Sequence, residues 1–435
     1  MCYQRLWVCQ LVFTAVAMLT VNTGLAHDDD AGERSWFKGN LHTHSLWSDG
    51  NDYPEMIVAW YVDHDYDFLG LSDHNILSRG EKWVPEDLGA RRGAIDGLKR
   101  YRARFGEEWV ESREKDGKTE IRLKALDEFR GLFEKPGKFL LIQAEEITDH
   151  FESHPIHVNA TNLAELIRPQ GGNSIRDTIR NNLIAVQRQS QRLDRPILAH
   201  LNHPNYGYAV SAEDMAAVVQ EKFFEVYNGH PGVNHAGDER HIGMERMWDV
   251  ANTIRLAEMK QPPLYGLATD DSHNYFGNRG SSPGRGWVMV RAAELKPEPI
   301  IHALEDGDFY ASSGVTLESL QFDAESRTLS LAVAAEDGVE YVTKFVGTPV
   351  DYDKTSKPVL DKDGKEIPAR RRYSADVGKV LKRVAGPTAS YQLTGRELYV
   401  RAVVHSTKKH GNASFKDQHE QAWTQPVGWQ GHVKQ

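Results

Sequence analysis

The sequence predicts an α/β protein whose larger part is a barrel related to the (β/α) type, followed by a β-rich region. From Phe37 to about Ser313, short apolar runs of strand length alternate with longer polar stretches that have helical spacing. Repeated alternation of strand and helix indicates parallel strands joined by crossovers, and several such repeats indicate a barrel. After Gly314, polar and apolar residues alternate, as in half-buried strands.

The barrel elements can be placed one by one. The predicted strands include residues 68–71, 139–142, 196–199, 223–226 and 264–267, and the predicted helices include residues 54–63 and 175–193. Residues 82–135 are a long, charged insertion between two strands. We expect this insertion to be helical over residues 98–114 and 123–133, with a turn at Lys115-Asp116-Gly117-Lys118 between the helices.

A chain of 435 residues is long for one hydrophobic core and predicts two domains. We place the barrel domain at residues 36–313 and a second domain at residues 315–435. In the second domain, residues 329–333 and 397–404 are the clearest strands. This pattern predicts a sandwich-like β domain.

The N-terminus has the pattern of a secretory signal. Arg5 precedes a mostly apolar run over residues 6–21, and Gly24-Leu25-Ala26 supplies small residues before an acidic stretch. We therefore expect residues 1–26 to be a signal peptide, and the protein to be exported to the periplasm or secreted. A membrane anchor is the alternative, but the apolar run is shorter than the ~20 residues that a spanning helix needs. We expect no membrane span after cleavage.

Composition restricts the chemistry. Both cysteines, Cys2 and Cys9, lie inside the predicted signal, so the mature chain would have no thiolate to act as nucleophile or ligand. Any metal must be held by imidazoles and carboxylates. The formal net charge of −10 argues against nucleic acid as a partner.

Residues of metal-ligand type follow most of the strand-like runs. These are His42, His44 and Asp49; Asp73 and His74; Glu145 and Glu146; His154 and His157; His200 and His203; and Asp271 with His273. In a parallel α/β barrel the carboxyl ends of the strands converge on one face, which would bring these side chains together. A single histidine in a strand is more often structural, but the joint pattern predicts a metal site.

The two end pairs have the geometry of metal ligands. In His42-Thr43-His44 the two imidazoles lie two residues apart in a strand and point the same way, and Asp271-Ser272-His273 repeats this spacing. Glu146 has two carboxylate oxygens and can bridge two ions. Histidine and carboxylate ligands suit zinc, manganese or iron.

These motifs resemble those of the PHP (polymerase and histidinol phosphatase) family of metal-dependent phosphoesterases. The resemblance covers about residues 36–313. The matching segments are residues 42–50, with the sequence HTHSLWSDG; Ser72-Asp73-His74-Asn75; Glu146-Ile147-Thr148 with His157; Asn202-His203-Pro204-Asn205; and residues 269–274, with the sequence TDDSHN. Ala144 is a small departure, because the family often has glycine at that position.

The resemblance implies a distorted (β/α)7 barrel and a cluster of two or three divalent metal ions. Carried over by motif, the first set of ligands is His42, His44, Glu146 and Asp271; the second is Asp49, His74 and His273; and Glu146, His157 and His203 complete the cluster. Three alternatives stay open, because Glu145 competes with Glu146, His154 with His157, and His200 with His203. The local sequence favours Glu146, His157 and His203.

The predicted reaction is hydrolysis by a metal-bound hydroxide, most simply of a small-molecule phosphoester. Asp73, and whichever of His200 and His203 is not a ligand, are predicted to orient ligands or to carry a proton. Arg279 and Arg285, in a Gly/Ser-rich loop after the last ligand pair, and His230 are the predicted substrate contacts.

Two alternatives to a phosphoesterase are open. The same site could cleave a carboxyl-type ester, amide or carbamate, and residues 422–426, with the sequence AWTQP, resemble exported PHP proteins of the carbaryl-hydrolase (CehA/McbA-like) type. An ordinary apolar strand end explains those five residues equally well. The amidohydrolase superfamily also begins with His-x-His, but Glu146 and the terminal Asp-x-His pair favour PHP. The second alternative is a non-catalytic metal-binding protein of the cell envelope.

Overall fold

A computed structural model of the chain describes residues 34–276 and 280–433. The predicted signal peptide and Arg279 lie outside the described residues. The first elements are β1 (Ser35–Asn40), α1 (Pro54–Val62), β2 (Phe68–Leu71), β3 (Lys82–Pro85), α2 (Leu88–Arg91), α3 (Gly97–Phe105), a 3-10 turn (Glu107–Trp109), β4 (Ser112–Lys115), β5 (Lys118–Leu123), α4 (Leu126–Phe133), β6 (Leu140–Phe151), β7 (His154–Thr161) and α5 (Ile175–Leu193).

The chain continues through the second half of the α/β part into a β-rich region. The remaining elements are β8 (Leu198–Leu201), α6 (Ala212–Ala217), β9 (Phe223–Asn228), α7 (Met244–Thr253), a π-helical turn (Ile254–Met259), β10 (Tyr265–Thr269), β11 (Trp287–Ala292), α8 (Pro297–Glu305), β12 (Phe309–Ser312), β13 (Leu317–Asp323), β14 (Thr328–Val333), β15 (Tyr341–Pro349), β16 (Ser356–Leu360), β17 (Glu366–Tyr373), β18 (Lys379–Ala385), β19 (Thr388–Gln392), β20 (Glu397–Lys409), β21 (His419–Thr424) and a 3-10 turn (Gln430–His432).

The fold is α/β and is built on one large mixed sheet. Its strand order is β10-β9-β8-β7-β6-β2-β1-β11-β12-β21-β20-β15-β18. The strands β1, β2 and β6 are parallel to one another, and so are β8, β9 and β10. An isolated parallel bridge joins Thr43, after β1, to Ser272, after β10. The seven neighbouring strands β1, β2, β6, β7, β8, β9 and β10 are called the seven-strand series below. The bridge shows that the two ends of this series, β1 and β10, meet beside the ligand-rich segments.

One strand departs from the expected parallel order, because β7 runs antiparallel to both β6 and β8. Only Glu152 and Ser153 separate β6 from β7. Two residues suffice for a hairpin, whereas a parallel connection needs a dozen or more. The prediction of parallel strands throughout is therefore wrong at β7.

Two predicted helices, over residues 175–193 and 54–63, agree closely with the structure. α5 spans residues 175–193 as expected, and it buries Ile179, Leu183 and Val186 against the sheet core. The Ser174 hydroxyl caps its first turn by accepting a hydrogen bond from the backbone N–H of Asp177. α1 ends one residue before the predicted helix does.

The insertion at residues 82–135 is mixed α and β. Strands β3, β5 and β4 form a separate three-stranded sheet. β4 and β5 make an antiparallel hairpin around the turn at Asp116 and Gly117, with Ile121 and Leu123 buried. The predicted helix over residues 98–114 ends at Phe105, where Gly106 has a φ of +93°, and Ser112–Lys115 forms β4 instead. The predicted helix over residues 123–133 begins at Leu126.

The C-terminal region is rich in strands. β15, β18, β20 and β21 extend the large sheet, and β13, β14 and β19 form a three-stranded sheet. Apolar side chains from both sheets form one core cluster, to which Leu331 and Val404 belong. A domain boundary near residue 314 stays a prediction.

Among the residues that the structure describes, no helix is long and apolar enough to cross a membrane.

Candidate metal centre

The residues with ligand chemistry meet at one end of the seven-strand series. His42 and His44 follow β1, and His74 follows β2. Glu146 lies in β6 and His157 in the paired strand β7 of the same hairpin. His203 follows β8, and Asp271 and His273 follow β10. All nine predicted ligands lie in this cluster: His42, His44, Asp49, His74, Glu146, His157, His203, Asp271 and His273.

Glu146 lies at the middle of the cluster and is buried. Its Oε2 atom is 3.4 Å from Nε2 of His42 and 3.3 Å from Nε2 of His44. Its Oε1 atom is 2.9 Å from Nδ1 of His157 and 3.6 Å from Nε2 of His203. Oε2 also lies 2.8 Å from Nδ1 of His74, which is its shortest contact with an imidazole. The two carboxylate oxygens therefore face separate sets of imidazoles, three at Oε2 and two at Oε1, which is the arrangement of a bridging ligand.

Two further carboxylates, those of Asp271 and Asp49, contact histidines of the cluster. Oδ1 of Asp271 lies 3.3 Å from Nε2 of His42 and 3.1 Å from Nε2 of His44. Asp49 lies on the outer side, where Oδ2 is 3.4 Å from Nε2 of His74 and Oδ1 is 3.3 Å from Nε2 of His273. His44, Asp49, His74 and His273 form one group whose ligand atoms lie within 4.8 Å of one another.

The cluster fits metal ions better than it fits hydrogen bonds alone. Two atoms bound to one tetrahedral ion at about 2.1 Å are about 3.4 Å apart, which is close to most of the separations above. Within the described chain, Nε2 of His42, Nδ1 of His44 and Oε2 of Glu146 are buried without a hydrogen-bond partner. Such atoms are costly unless something else satisfies them, and ligation by a cation would do so.

The electrostatics of the cluster match this chemistry. Burial alone would raise the pKa of Glu146, but the charges of His74, His42 and His157 hold it well below its usual range. For Asp271, too, burial acts to raise the pKa, and the neighbouring histidines lower it well below the usual range. Burial and the nearby His273 and His74 lower the pKa of His44 to about 3. Near neutral pH the two carboxylates are thus ionised and the His44 imidazole is neutral. Burial acts to lower the pKa of His74, but Glu146 and Asp49 raise it to about 11, so metal binding there must displace a proton.

Glu225 supports the cluster from behind and was not among the predicted site residues. This residue is buried in β9, and its Oε1 atom lies 2.7 Å from Nδ1 of His42. Its Oε2 atom accepts hydrogen bonds from the His203 backbone N–H and from the Asn228 side chain, each at 2.8 Å. Carboxylates of this kind fix the orientation of ligand imidazoles. The acidic residue within the apolar strand at residues 223–226 was the sequence feature that could have identified it.

Asn202 was also missed. Its side-chain amide donates to Oε1 of Glu146 at 2.8 Å and to Oδ1 of Asn159 at 3.0 Å. It therefore fixes the orientation of the central carboxylate. Its position beside His203 in the Asn-His-Pro-Asn motif was the signal that could have found it.

Asp73 shapes the loop that carries Asp49. Its carboxylate accepts hydrogen bonds from the Ser45 N–H at 2.8 Å, the Ser45 hydroxyl at 2.7 Å and the Ser48 hydroxyl at 2.5 Å. Gly50 is required in the same loop, because a Cβ there would lie 2.3 Å from the His44 carbonyl oxygen. The structure thus gives Asp73 a positioning role, and its predicted catalytic role stays a prediction.

The structure also separates the paired alternatives. Glu145 points away from the centre and accepts a hydrogen bond from the Ile167 N–H at 2.9 Å. His154 lies at the start of β7, with Nδ1 3.3 Å from the Phe151 carbonyl oxygen. His200 is buried behind the centre, with Nε2 3.5 Å from Oε1 of Glu225. Glu146, His157 and His203 are the members whose side chains meet in the cluster.

Two of the three predicted substrate contacts are described. Arg285 is buried, and its guanidinium donates to the carbonyl oxygens of Gly229 at 2.8 Å and Asn412 at 3.1 Å. These contacts hold two loops together. His230 lies at the mouth of the centre, with its ring centre 5.8 Å from that of His273 and 5.7 Å from that of Tyr206.

The insertion adds a cation near the outer ligands. Nη1 of Arg92 donates to the Gly50 carbonyl oxygen at 2.8 Å, next to Asp49. Burial lowers the pKa of Arg92, and the charges of Asp49 and Asp73 act in the opposite direction. Arg92 was not predicted, because the sequence pattern of residues 82–135 indicated only a charged insertion and no contact with the site.

Fold and site together define an α/β protein with a candidate polynuclear metal centre. No family model matches the chain, and no curated protein matches it. Among solved structures, a two-domain protein from Bacteroides vulgatus containing a predicted PHP-like metal-dependent phosphoesterase is 15% identical, with a TM-score of 0.37 over 91% of this chain and 96% of that chain. An amidohydrolase from Chromobacterium violaceum is 13% identical, with a TM-score of 0.27 over 56% of this chain and 89% of that one.

Proposed function

We propose that this chain is a metal-dependent hydrolase that acts on phosphoesters. The observation that carries the proposal is the position of Glu146, whose two carboxylate oxygens face separate sets of imidazoles. A carboxylate placed in this way serves two or more ions. Divalent ions, when bound, supply Lewis acidity, lower the pKa of water and stabilise charge on phosphoryl oxygens.

The ligand sets follow from the groups of donor atoms. His42, His44 and Glu146 form one compact group. Oδ1 of Asp271 lies 3.3 Å from Nε2 of His42 and 3.1 Å from Nε2 of His44. The outer group is His44, Asp49, His74 and His273, and a third contains His74, Glu146 and His157. These three groups overlap at His44, His74 and Glu146, and they support two or three ions of zinc, manganese or iron. Among the described residues a fourth group, of His42, His200 and Glu225, shares only His42 with them.

Exposure indicates the side from which substrate enters. The side chains of His42 and His44 are 0% exposed, whereas those of Asp49, His74 and His273 are 52%, 24% and 18% exposed. Substrate would therefore approach over Asp49, between the insertion and the mouth residue His230. Arg92 is the cation placed to orient an anionic group of the substrate on this side. On the opposite side of the centre, the buried imidazoles of His42 and His44 exclude water.

The motif resemblance extends the proposal to the PHP family and to a distorted (β/α)7 barrel. The bridge between Thr43 and Ser272 supports closure of the seven-strand series. Membership of the CehA/McbA-like subgroup rests on residues 422–426. Of these, Ala422 to Thr424 pair with β12, and Gln425 hydrogen-bonds the Gly266 backbone, so these residues have a structural role in any case.

The proposed setting is the periplasm or the outside of the cell. It rests on the signal-like pattern of residues 1–26. A small-molecule phosphoester or related ester is the proposed substrate, and nucleic acid is not expected because the chain carries a formal net charge of −10.

Metal analysis combined with a substrate panel tests the proposal. The purified protein is expected to contain two or more equivalents of metal by elemental analysis, and to hydrolyse p-nitrophenyl phosphate or bis-p-nitrophenyl phosphate with manganese or zinc. The His42→Ala/His44→Ala variant should lose both metal and activity. Turnover of 1-naphthyl N-methylcarbamate alone would contradict the phosphoester assignment, and full activity in the double variant would contradict the assigned site.

A further inference from the structure

A second cavity, of about 650 Å³, lies apart from the metal centre. Helices α6 and α7, the loop at residues 236–243 and strand β17 form its walls. Of the nine candidate metal ligands, all of which the structure describes, none lines this cavity. Its volume is in the range of sites that bind small organic ligands.

Arginine dominates the chemistry of this cavity. Five arginines line it, namely Arg240, Arg246, Arg370, Arg371 and Arg372. Within residues 34–276 and 280–433, no carboxylate oxygen lies within 4.0 Å of any of these guanidinium groups, although the same chain forms such ion pairs at many other arginines. The chain as a whole carries a formal net charge of −10, so this cluster runs against the overall composition.

The arginine contacts leave the positive charges in place, because the acceptors are uncharged. Nη2 of Arg246 donates to the Ser374 carbonyl oxygen at 2.8 Å, and Nε of Arg371 donates to the Ser356 hydroxyl at 2.7 Å. Arg370 and Arg372 donate to the carbonyl oxygens of Tyr208 and Glu239. These bonds fix the guanidinium groups without neutralising them.

Three carboxylates also line the cavity, those of Glu213, Asp238 and Glu239. Oδ1 of Asp238 is occupied by the backbone N–H groups of Arg240 and His241, at 2.7 and 2.8 Å. Oε1 of Glu213 accepts a hydrogen bond from the Tyr373 hydroxyl at 3.2 Å. Five guanidinium groups against three carboxylates leave a surplus of two positive charges around the cavity.

We propose that this cavity binds a small ligand that carries two or more phosphate groups. Guanidinium groups hold phosphate oxygens with paired hydrogen bonds, which a lysine ammonium cannot do. A surplus of two charges, spread over five separate arginines, suits a polyanion better than a single carboxylate. The inference does not depend on the reaction at the metal centre.

Calorimetric titration of the metal-loaded protein with inorganic tripolyphosphate tests the proposal. The variant Arg240→Gln/Arg372→Gln removes two exposed side chains of the cavity, neither of which is in the metal centre. The matched control is Arg91→Gln/Arg396→Gln, which changes the net charge equally at arginines that are 56% and 74% exposed elsewhere. We expect the dissociation constant to rise at least tenfold in the cavity variant and less than twofold in the control.

Tripolyphosphate also has affinity for bound metals, so a second arm separates the two sites. In the His42→Ala/His44→Ala variant the cavity event should persist with an unchanged dissociation constant. Equal weakening in the cavity variant and its matched control would show a non-specific charge effect, and unchanged binding in the cavity variant would place the anion at the metal centre. Either result overturns the proposal, and p-nitrophenyl phosphatase activity reports separately on the proposed function.

Discussion

Oε1 of Glu225 lies 2.7 Å from Nδ1 of His42, and both side chains are fully buried. This contact turns Nε2 of His42 towards Glu146 and Asp271, at 3.4 and 3.3 Å. Glu225, which lies in β9, also accepts a hydrogen bond at 2.7 Å from the hydroxyl of Thr269 in the neighbouring strand β10. One carboxylate outside the ligand set therefore fixes a ligand at the centre.

Replacing Glu225 tests this relationship. Glu225→Gln keeps the size of the side chain but removes the charge that holds the His42 imidazole. Loss of such a supporting carboxylate typically costs 10–100-fold in metal affinity, so we expect a loss of that order. Competition with a chromophoric chelator measures the affinity directly.

Glu221→Gln is the matched control for Glu225→Gln. Glu221 is buried just before the same strand, and Arg255 is its charged neighbour. Its replacement should leave metal affinity within about twofold of the native protein. Equal losses in both variants would mean that metal binding responds to the loss of any buried carboxyl group in this region, and not to the Glu225–His42 contact.

Adjacent glutamates in β6 provide a sharper comparison. Glu146 faces five imidazoles, whereas Glu145 points away to the Ile167 backbone. We expect Glu146→Gln to lower the number of bound metals and to reduce p-nitrophenyl phosphate hydrolysis at least a hundredfold, because the bridging charge is lost. Glu145→Gln should keep both within about threefold. The reverse order would show that the site has been assigned to the wrong face of the strand.

Much of the fold and most of the ligand set could be predicted from sequence, because both follow from short-range patterns. The amphipathic spacing of residues 175–193 defines α5, and paired ligands two residues apart define the ends of the centre. Glu225 could not be assigned in this way, since its partner His42 is 183 residues away. The direction of the Arg285 guanidinium could not be predicted either, because loops distant in sequence supply its hydrogen-bond acceptors.

The insertion shows a different limit. The turn at residues 115–118 was identified, but its flanks contain as many charged residues as a surface helix would. Pairing of Glu114 with Thr119, and of Ser112 with Ile121, decides in favour of a hairpin. Tertiary burial of Ile121 and Leu123 outweighs the local helical tendency in this segment.

Glu221 predicts a pH dependence of stability. Burial raises its pKa from 4.5 to about 8, and the charge of Arg255 opposes this rise only in part. Between these two pH values the folded state retains a proton that the unfolded state has released. The free energy of unfolding therefore falls as pH rises through this window.

Glu221→Gln removes this titration, so the variant should be more stable than the native protein at pH 8 and nearly equal to it at pH 5. Thermal unfolding at the two pH values measures the effect, and we expect a gain of a few degrees at pH 8 only. A gain of the same size at both pH values would attribute the effect to packing instead of to the proton.

The last prediction concerns a buried ion pair between α7 and β20. Nη2 of Arg401 lies 2.8 Å from Oδ2 of Asp249, Nε lies 2.9 Å from Oδ1, and the Tyr399 hydroxyl donates to Oδ1 at 2.7 Å. The two charged side chains are only 1% and 5% exposed. Arg401→Met would leave a buried carboxylate without its cation, which costs about 3–5 kcal/mol.

Urea unfolding should show this loss for Arg401→Met. A much smaller loss is expected for Arg396→Met, whose partner Asp351 is also 2.8 Å away but whose pair is 74% and 63% exposed. Exposed pairs of that kind contribute about 1 kcal/mol or less. The double variant Arg401→Met/Asp249→Leu should be more stable than Arg401→Met, because the second change removes the unpaired charge. If the single variant at Arg401 is no less stable than the one at Arg396, the pair does not hold β20 against α7.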